Sequence, residues 1–230
     1  MPPAGEPRYE FGEPDEWALD RGYRLVAGVD EVGRGAMAGP VVTAAVILEP
    51  GVELALVNDS KVLSPTQRDE AYEEVRERAT AWAIGVVEAD MIDRLNVWGA
   101  TCLAMRRALE RLSVQPDVTL IDGLEPRGIT HPHRAFVGGD GCSPRMGAAS
   151  ILAKVTRDRV MERMAITHRG YSFESNKGYA TPQHKEAVER LGPSPIHRRR
   201  YRFVTEQRSA HLPFDSEDLS RISRYGRGEP

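Results

Sequence analysis

Apolar residues in this chain fall into short runs alternating with longer amphipathic stretches, and that alternation predicts the order of elements. Leu25-Val26-Ala27-Gly28-Val29 is unbroken and stops at Asp30-Glu31, the pattern of a buried strand. Val41 to Leu48 is β-branched and apolar, a second strand that ends at the Pro50-Gly51 turn. Ser64-Pro65-Thr66-Gln67 reads as a helix start, with Ser as cap, Pro at the first helical position and Gln three residues on, and the helix is expected to reach about Thr80. Trp82 to Val87 predicts a third strand. Residues 96–112 place Val97, Ala100, Ala104, Ala108 and Leu112 along one face of an amphipathic helix. Val118 to Ile121 is a strand stopped by Asp122-Gly123, and 134–139 form another short strand. A long helix over Gly147 to Met164 follows, and Thr181 caps a last one over Pro182 to Arg190. Strands come early and helices close the chain, so the expected class is an α/β sheet protein with a helical C-terminal part.

Composition narrows this picture little. The 230 residues suit one domain with appendages, and 40% hydrophobic with 28% charged residues is ordinary for a soluble globular chain. The expected organisation is a flexible acidic arm over 1–20, with six acids and one base, a domain over 21–208, and a tail over 209–230. Cys102 and Cys142 form neither a disulfide framework nor a zinc motif, which fits a reducing compartment. The start lacks the basic and apolar regions of a signal peptide, and the longest charge-free apolar stretch, Gly35 to Leu48, is too short to span a bilayer. A cytoplasmic location without membrane contact is expected.

Charge changes more. The net charge of -3 argues mildly against a nucleic-acid partner, but its distribution argues for one. Residues 134–208 hold 15 Lys+Arg and 7 Asp+Glu, a local +8, which leaves the rest at -11. His197-Arg198-Arg199-Arg200-Tyr201-Arg202-Phe203 interleaves bases with aromatics, a usable footprint for a phosphate backbone.

Acidic residues at strand ends carry the candidate chemistry. Asp30 and Glu31 end one apolar strand and Asp122 ends another, about 90 residues later. Open α/β sheets place ligands just outside strand ends, so these carboxylates can meet. Carboxylates that meet repel, and they stay ionised together only around a cation; hard oxygen donors suit Mg²⁺ or Mn²⁺. Side chains alternate along a strand, so Asp30 and Glu31 face one ion only if the backbone bends, and Gly33 and Gly35 lie just downstream.

Other motifs fail on context. Gly33-Arg34-Gly35-Ala36-Met37-Ala38 has the spacing of a dinucleotide fingerprint, but Gly39-Pro40 and a strand follow where a helix is required. The six histidines lack zinc spacing, and neither cysteine sits in a nucleophile's context. Asn58-Asp59-Ser60-Lys61 is a polar loop. Asn176-Lys177-Gly178-Tyr179 sets a base and an aromatic in a glycine loop able to stack on a sugar or base.

Six ordered blocks together resemble the bacterial ribonuclease HII family over roughly residues 23–205. They are Gly28 to Gly35, Asn58 to Lys61, Ile121-Asp122-Gly123, Gly139-Asp140, Ala148 to Asp158, and Lys177-Gly178-Tyr179. The resemblance implies a ribonuclease H-like fold, a mixed central sheet flanked by helices, within the domain over 21–208. It implies an endonuclease using two Mg²⁺ or Mn²⁺ ions that cuts the RNA strand of RNA–DNA hybrids and 5′ of single ribonucleotides in duplex DNA, as ribonucleotide excision repair requires. The products it implies are a 5′-phosphate and a 3′-hydroxyl, and the enzyme is expected to act as a monomer. The family's carboxylate quartet maps onto Asp30, Glu31, Asp122 and Asp140, the last known only through the resemblance, with Asp158 its rival. Gly33, Arg34, Gly35 and Tyr179 map onto the segments that recognise the ribonucleotide–deoxyribonucleotide junction. Lys61, Ser150, Lys154 and Lys177 become phosphate contacts.

The chain departs from the family pattern at Gly138, where a lysine is common, and at Arg145, where an acid is common. Two other readings stay open: a resolvase- or integrase-like DNA nuclease on the same fold, and a catalytically silent hybrid-binding module.

Overall fold

The computed structural model describes residues 9–57 and 63–210. Five strands form one sheet in the order β3-β2-β1-β4-β5: β1 (Val26–Val32), β2 (Val41–Ile47), β3 (Ala81–Val87), β4 (Val118–Asp122) and β5 (His133–Phe136). β2 runs antiparallel to both β1 and β3, whereas β4 pairs parallel with β1 and β5 parallel with β4. The expected mixed sheet flanked by helices is therefore present. β2 is buried at every position, as its unbroken apolar run demands, while edge strand β3 alternates buried and half-buried residues.

Helix α3 (Ala89–Glu110) covers one face, where Met105, Ala108 and Leu109 pack on Ala27, Val29, Ala45 and Ile47. Helices α2 (Pro65–Arg78) and α4 (Pro144–Thr167) cover the other, with Ala148, Ile151 and Leu152 on Val42, Ala44 and Val46. Helices α4 and α3 each meet the sheet at a glycine. A methyl group at Gly28 would lie 2.4 Å from the Arg145 carbonyl oxygen, and one at Gly85 2.0 Å from that of Ala104. Arg107 and Arg111 of α3 donate to the Val86 and Ile84 carbonyls of β3, occupying part of an edge that would otherwise invite pairing.

Ser64 accepts from Gln67 N and Gln67 Oε1 accepts from Ser64 N, the predicted capping box, although α2 stops at Arg78. Thr181 caps α6 (Pro182–Leu191) as predicted. The predicted helix over 96–112 is the second half of α3. Asn96 has φ 63° and restarts the helix, its Oδ1 accepting from Trp98 N and Gly99 N. The preceding turns, over 89–95, were not expected, although Ala89 and Ile92 are buried. Helices α5 (Phe173–Asn176) and α7 (Arg202–Ala210) were also not expected.

The loose-arm reading of residues 1–20 does not hold for 13–19. They form α1 (Glu13–Leu19), which buries Ala18 against Val26, Val118, Leu120 and Phe136. Asp15, on the buried side of this helix, is 5% exposed and ion-paired with Arg145 of α4, itself 4% exposed. A partner 130 residues away leaves no local signal. Residues 1–8 and 211–230 lie outside the described residues.

Candidate active site

Strand β1 pairs with β4 as far as Val29↔Ile121, so Asp30 and Asp122 occupy the next position on adjacent parallel strands. Asp30 lies on the same side of β1 as Gly28, the face that α4 covers, and Glu31 on the opposite one. The strand does not end at Asp30 as expected. It continues to Val32 in regular register with β2. Asp122 is fixed by its Oδ1, which accepts from Gly139 N at 2.6 Å, and Gly139 opens the 3-10 turn Gly139–Gly141 that carries Asp140. Ser143 then caps α4, accepting from Met146 N.

Asp30 is 7% exposed, and its carboxyl is held well above the usual carboxylate range. Burial is the largest cause, followed by the charges of Asp122 and Glu31; Asp140 adds to them, and a hydrogen bond from Ser150 opposes them. Glu31 is also raised, first by burial, while the Arg34 guanidinium 2.9 Å away draws it back. Four carboxylates therefore share one electrostatic neighbourhood, and Arg34 offsets only part of their charge. Among the described residues no three His, Cys, Asp or Glu side chains converge closely enough to form a ready metal shell. The donor set nevertheless fits a hard divalent cation: it is all oxygen, excess negative charge and partly desolvated.

The turn from Gly33 to Pro40 has its carbonyls facing inward. Arg198 donates to the oxygens of Gly33 (2.6 Å), Arg34 (2.8 Å), Gly39 and Pro40, and Arg157 to those of Pro40 (2.9 Å) and Ala38. Gly33 has φ 94°, and a methyl there would strike Arg157 Nε at 2.2 Å, so glycine is required twice over. Gly35 instead faces open space. Among the described residues nothing accepts from the exposed N–H groups of Arg34 and Gly35. The Tyr179 ring lies 5.1 Å from the Arg157 guanidinium, and Met37 N and Ala38 N both donate to Gly178 O, which joins the two loops.

The expected phosphate contacts have other partners. Lys154 ion-pairs with Asp158 at 2.7 Å, so Asp158 is held by the residue one turn back and is not among the charges acting on Asp30. Lys177 is held by Glu162 and the Glu174 carbonyl, both at 2.6 Å. Lys61 and its loop lie outside the described residues. The basic stripe over 197–203 is thinner than it reads in sequence: His197 and Arg198 are 2% and 4% exposed, leaving Arg199, Arg200 and Arg202 on the surface, and outside the stripe Arg145 and Arg157 are buried as well. Trp98, whose ring lies 5.4 Å from the Arg34 guanidinium, gave no sequence signal beyond its place on α3.

Both cysteines are buried, and burial together with nearby Asp122 pushes the Cys142 thiol up to about 11. Thiolate is the reactive form, so neither is expected to react with iodoacetamide in the native protein at pH 8. Mass spectrometry checks this, and labelling of Cys142 within minutes would contradict its burial.

Sheet topology and strand-end carboxylates together define a hydrolase of the ribonuclease H-like class. The family model described as Ribonuclease HII matches residues 27–205, and this chain belongs to the ribonuclease HII family, a family of nucleases. It is 47% identical over 180 residues to a ribonuclease HII of Carboxydothermus hydrogenoformans, 78% of each chain. It is 48% identical over 182 residues to one of Moorella thermoacetica, 79% of this chain and 88% of that one. The solved ribonuclease H2 of Pyrococcus horikoshii superposes with a TM-score of 0.68 at 25% identity, covering 80% of this chain and 97% of that one. Among the described residues no helix is long and apolar enough to cross a membrane.

Proposed function

We propose that this enzyme hydrolyses the RNA strand of RNA–DNA hybrids and cuts 5′ of single ribonucleotides embedded in duplex DNA. It leaves 5′-phosphate and 3′-hydroxyl ends and works as a cytoplasmic monomer. The observation that carries the reading is the gathering of Asp122, Glu31 and Asp140 around buried Asp30 with one arginine to offset them. Asp30, Glu31, Asp122 and Asp140 would hold two Mg²⁺ or Mn²⁺ ions. The chemistry such ions supply when bound is Lewis-acid activation of a water and neutralisation of the departing 3′ oxygen.

The chain's own residues do the positioning. Gly139 N orients Asp122, and Ser150 orients Asp30. Arg198 and Arg157 turn the loop's carbonyls inward, which leaves the Arg34 and Gly35 N–H groups for an outside acceptor. A ribose 2′-hydroxyl accepts and donates, so it meets such a backbone where deoxyribose cannot. The Tyr179 ring supplies a face for the neighbouring sugar, and Arg199, Arg200 and Arg202 offer charge to the phosphates.

The test is a duplex carrying one ribonucleotide, incubated with Mg²⁺ or Mn²⁺ and mapped to the nucleotide. One cut 5′ of the ribonucleotide, with the all-DNA duplex intact, is expected. Equal cutting of both duplexes would favour a DNA nuclease, and metal-independent binding without cleavage a silent module. Tyr179→Ala should lower kcat/KM on the single-ribonucleotide duplex about 10-fold to 100-fold, the scale of losing one stacking contact.

A further inference from the structure

The segment Ile196-His197-Arg198 lies against the loop that precedes β2. Ala38 and His197 form an isolated antiparallel bridge, Gly39 N donates to Ile196 O, and Arg198 N donates to Met37 O, both at 2.9 Å. From this one strip two side chains reach in different directions. Arg198 grips the Gly33, Arg34, Gly39 and Pro40 carbonyls. His197 leads to Tyr179 through a second histidine.

The donor order of that second path is fixed. The Tyr179 carbonyl only accepts, so His184 Nδ1, 2.8 Å away, carries a hydrogen. In a neutral ring His184 Nε2 is then an acceptor, and His197 Nε2 donates to it across 3.0 Å. His197 Nδ1 is left to accept from Ser194 N and Ser194 Oγ at 3.0 and 2.8 Å. The chain runs Ser194, His197, His184, Tyr179 with every ring nitrogen in its proper sense, and His197 Nδ1 is shared by the two Ser194 donors. Both rings are buried among Tyr171 and Phe173, which favours the neutral forms and pushes His197 down to about 3.

We propose that His197 and Arg198 are positioning residues that set the Gly33-Arg34-Gly35 turn and Tyr179 relative to one another, and so determine selectivity for a ribonucleotide junction. The proposal rests on the ribonucleotide-reading function given above. Both are almost wholly buried, so they act through the groups they hold. A polar, buried guanidinium is suited to the task because its planar fork binds several carbonyls at once, which a lysine ammonium on a flexible stem does not. Misplacement of recognition groups by an ångström is costly, on the order of 10²-fold in rate.

The experiment compares Arg198→Lys, His197→Ala and His197→Gln in the full chain, with and without Tyr179→Ala. The readout is the ratio of kcat/KM on a single-ribonucleotide duplex to kcat/KM on a hybrid with an all-RNA strand. A ratio measured on one preparation is insensitive to the fraction unfolded. Arg198→Lys and His197→Ala should each lower it, by about tenfold or more. His197→Gln, whose amide can replace the Nε2–H donor to His184, should recover much of the loss.

Because His197 acts through Tyr179, its effect should disappear in the Tyr179→Ala background, whereas that of Arg198→Lys should persist. A ratio unchanged in Arg198→Lys and His197→Ala overturns the proposal. Equal loss on both substrates, without recovery in His197→Gln, also overturns it, since that is what a purely structural role predicts. If the wild-type enzyme itself ignores the ribonucleotide and cuts all-DNA duplex as well, the underlying function falls and the positioning role with it.

Discussion

Asp30→Asn is expected to lower cleavage by about 10³-fold or more and, at the same time, to make the folded protein harder to melt. The two effects have one cause. Asp30 is buried, crowded by Asp122, Glu31 and Asp140, and holds its proton to a higher pH in the folded chain than in the unfolded one. Folding is therefore penalised increasingly as pH climbs from about 3.8 through the folded-state value, and the penalty stays in place above it. Asparagine keeps an oxygen for the Glu31 N–H and Ser150 contacts and never ionises. Its gain at neutral pH should be about 0.5–2 kcal/mol, and it should vanish at the acid end. Divalent ions work the other way, stabilising the wild type by mass action and the variant less. Asp122→Asn should share the loss of cleavage while leaving hybrid binding measurable. Thermal melts at pH 4 and 7, with and without Mg²⁺, read the stability arm. An Asp30→Asn protein that melts below wild type at pH 7 without metal would contradict the strained-carboxylate account.

The carboxylates were legible in sequence because each interrupts an apolar run. Asp30, Glu31 and Asp122 stand where a strand's hydrophobic pattern breaks, and a strand end is where an α/β sheet presents ligands. Asp140 interrupts nothing: it sits in a glycine turn, and its place beside Asp122 comes from the Gly139 N–H to Asp122 bond, a contact between segments 17 residues apart. Capped helices were legible for a similar local reason, since Ser64 and Thr181 find their partners within three residues. What stayed hidden is burial of charge. Arg198 reads as part of a basic stripe and Arg157 as one more charge in the basic segment, yet most of their donors go to backbone carbonyls of a loop more than 110 residues away. Only the fold brings that loop near, and only buried carbonyls make an interior guanidinium tolerable.

The same blindness affected Arg145, which read as a departure from the family pattern and is the counter-charge for α1. Its guanidinium ion-pairs with Asp15 and donates to the Leu48 carbonyl at 2.8 Å, with both side chains almost wholly buried. Burial raises the Asp15 carboxyl, and Arg145 is the largest influence pulling it back. Arg145→Met should therefore cost about 3–5 kcal/mol, because it leaves a buried carboxylate without compensation. At about 2–4 °C per kcal/mol that is a fall of roughly 6–20 °C in Tm. The deficit should be widest at neutral pH and should shrink as pH falls into the carboxylate range, where Asp15 takes up a proton and needs no counter-charge. Adding Asp15→Leu should restore most of the loss, since an apolar pair in such a place is often as stable as the ionic one. Recovery in the double variant separates the unpaired charge from simple loss of arginine packing. Cleavage should also slow in the single variant even where it is fully folded. Gly12 N donates to the Cys142 carbonyl at 2.7 Å, so α1 braces the turn that carries Asp140, and loosening the helix loosens a carboxylate. If Arg145→Met melts with the wild type at pH 7, the ion pair stabilises nothing and that brace is not its work.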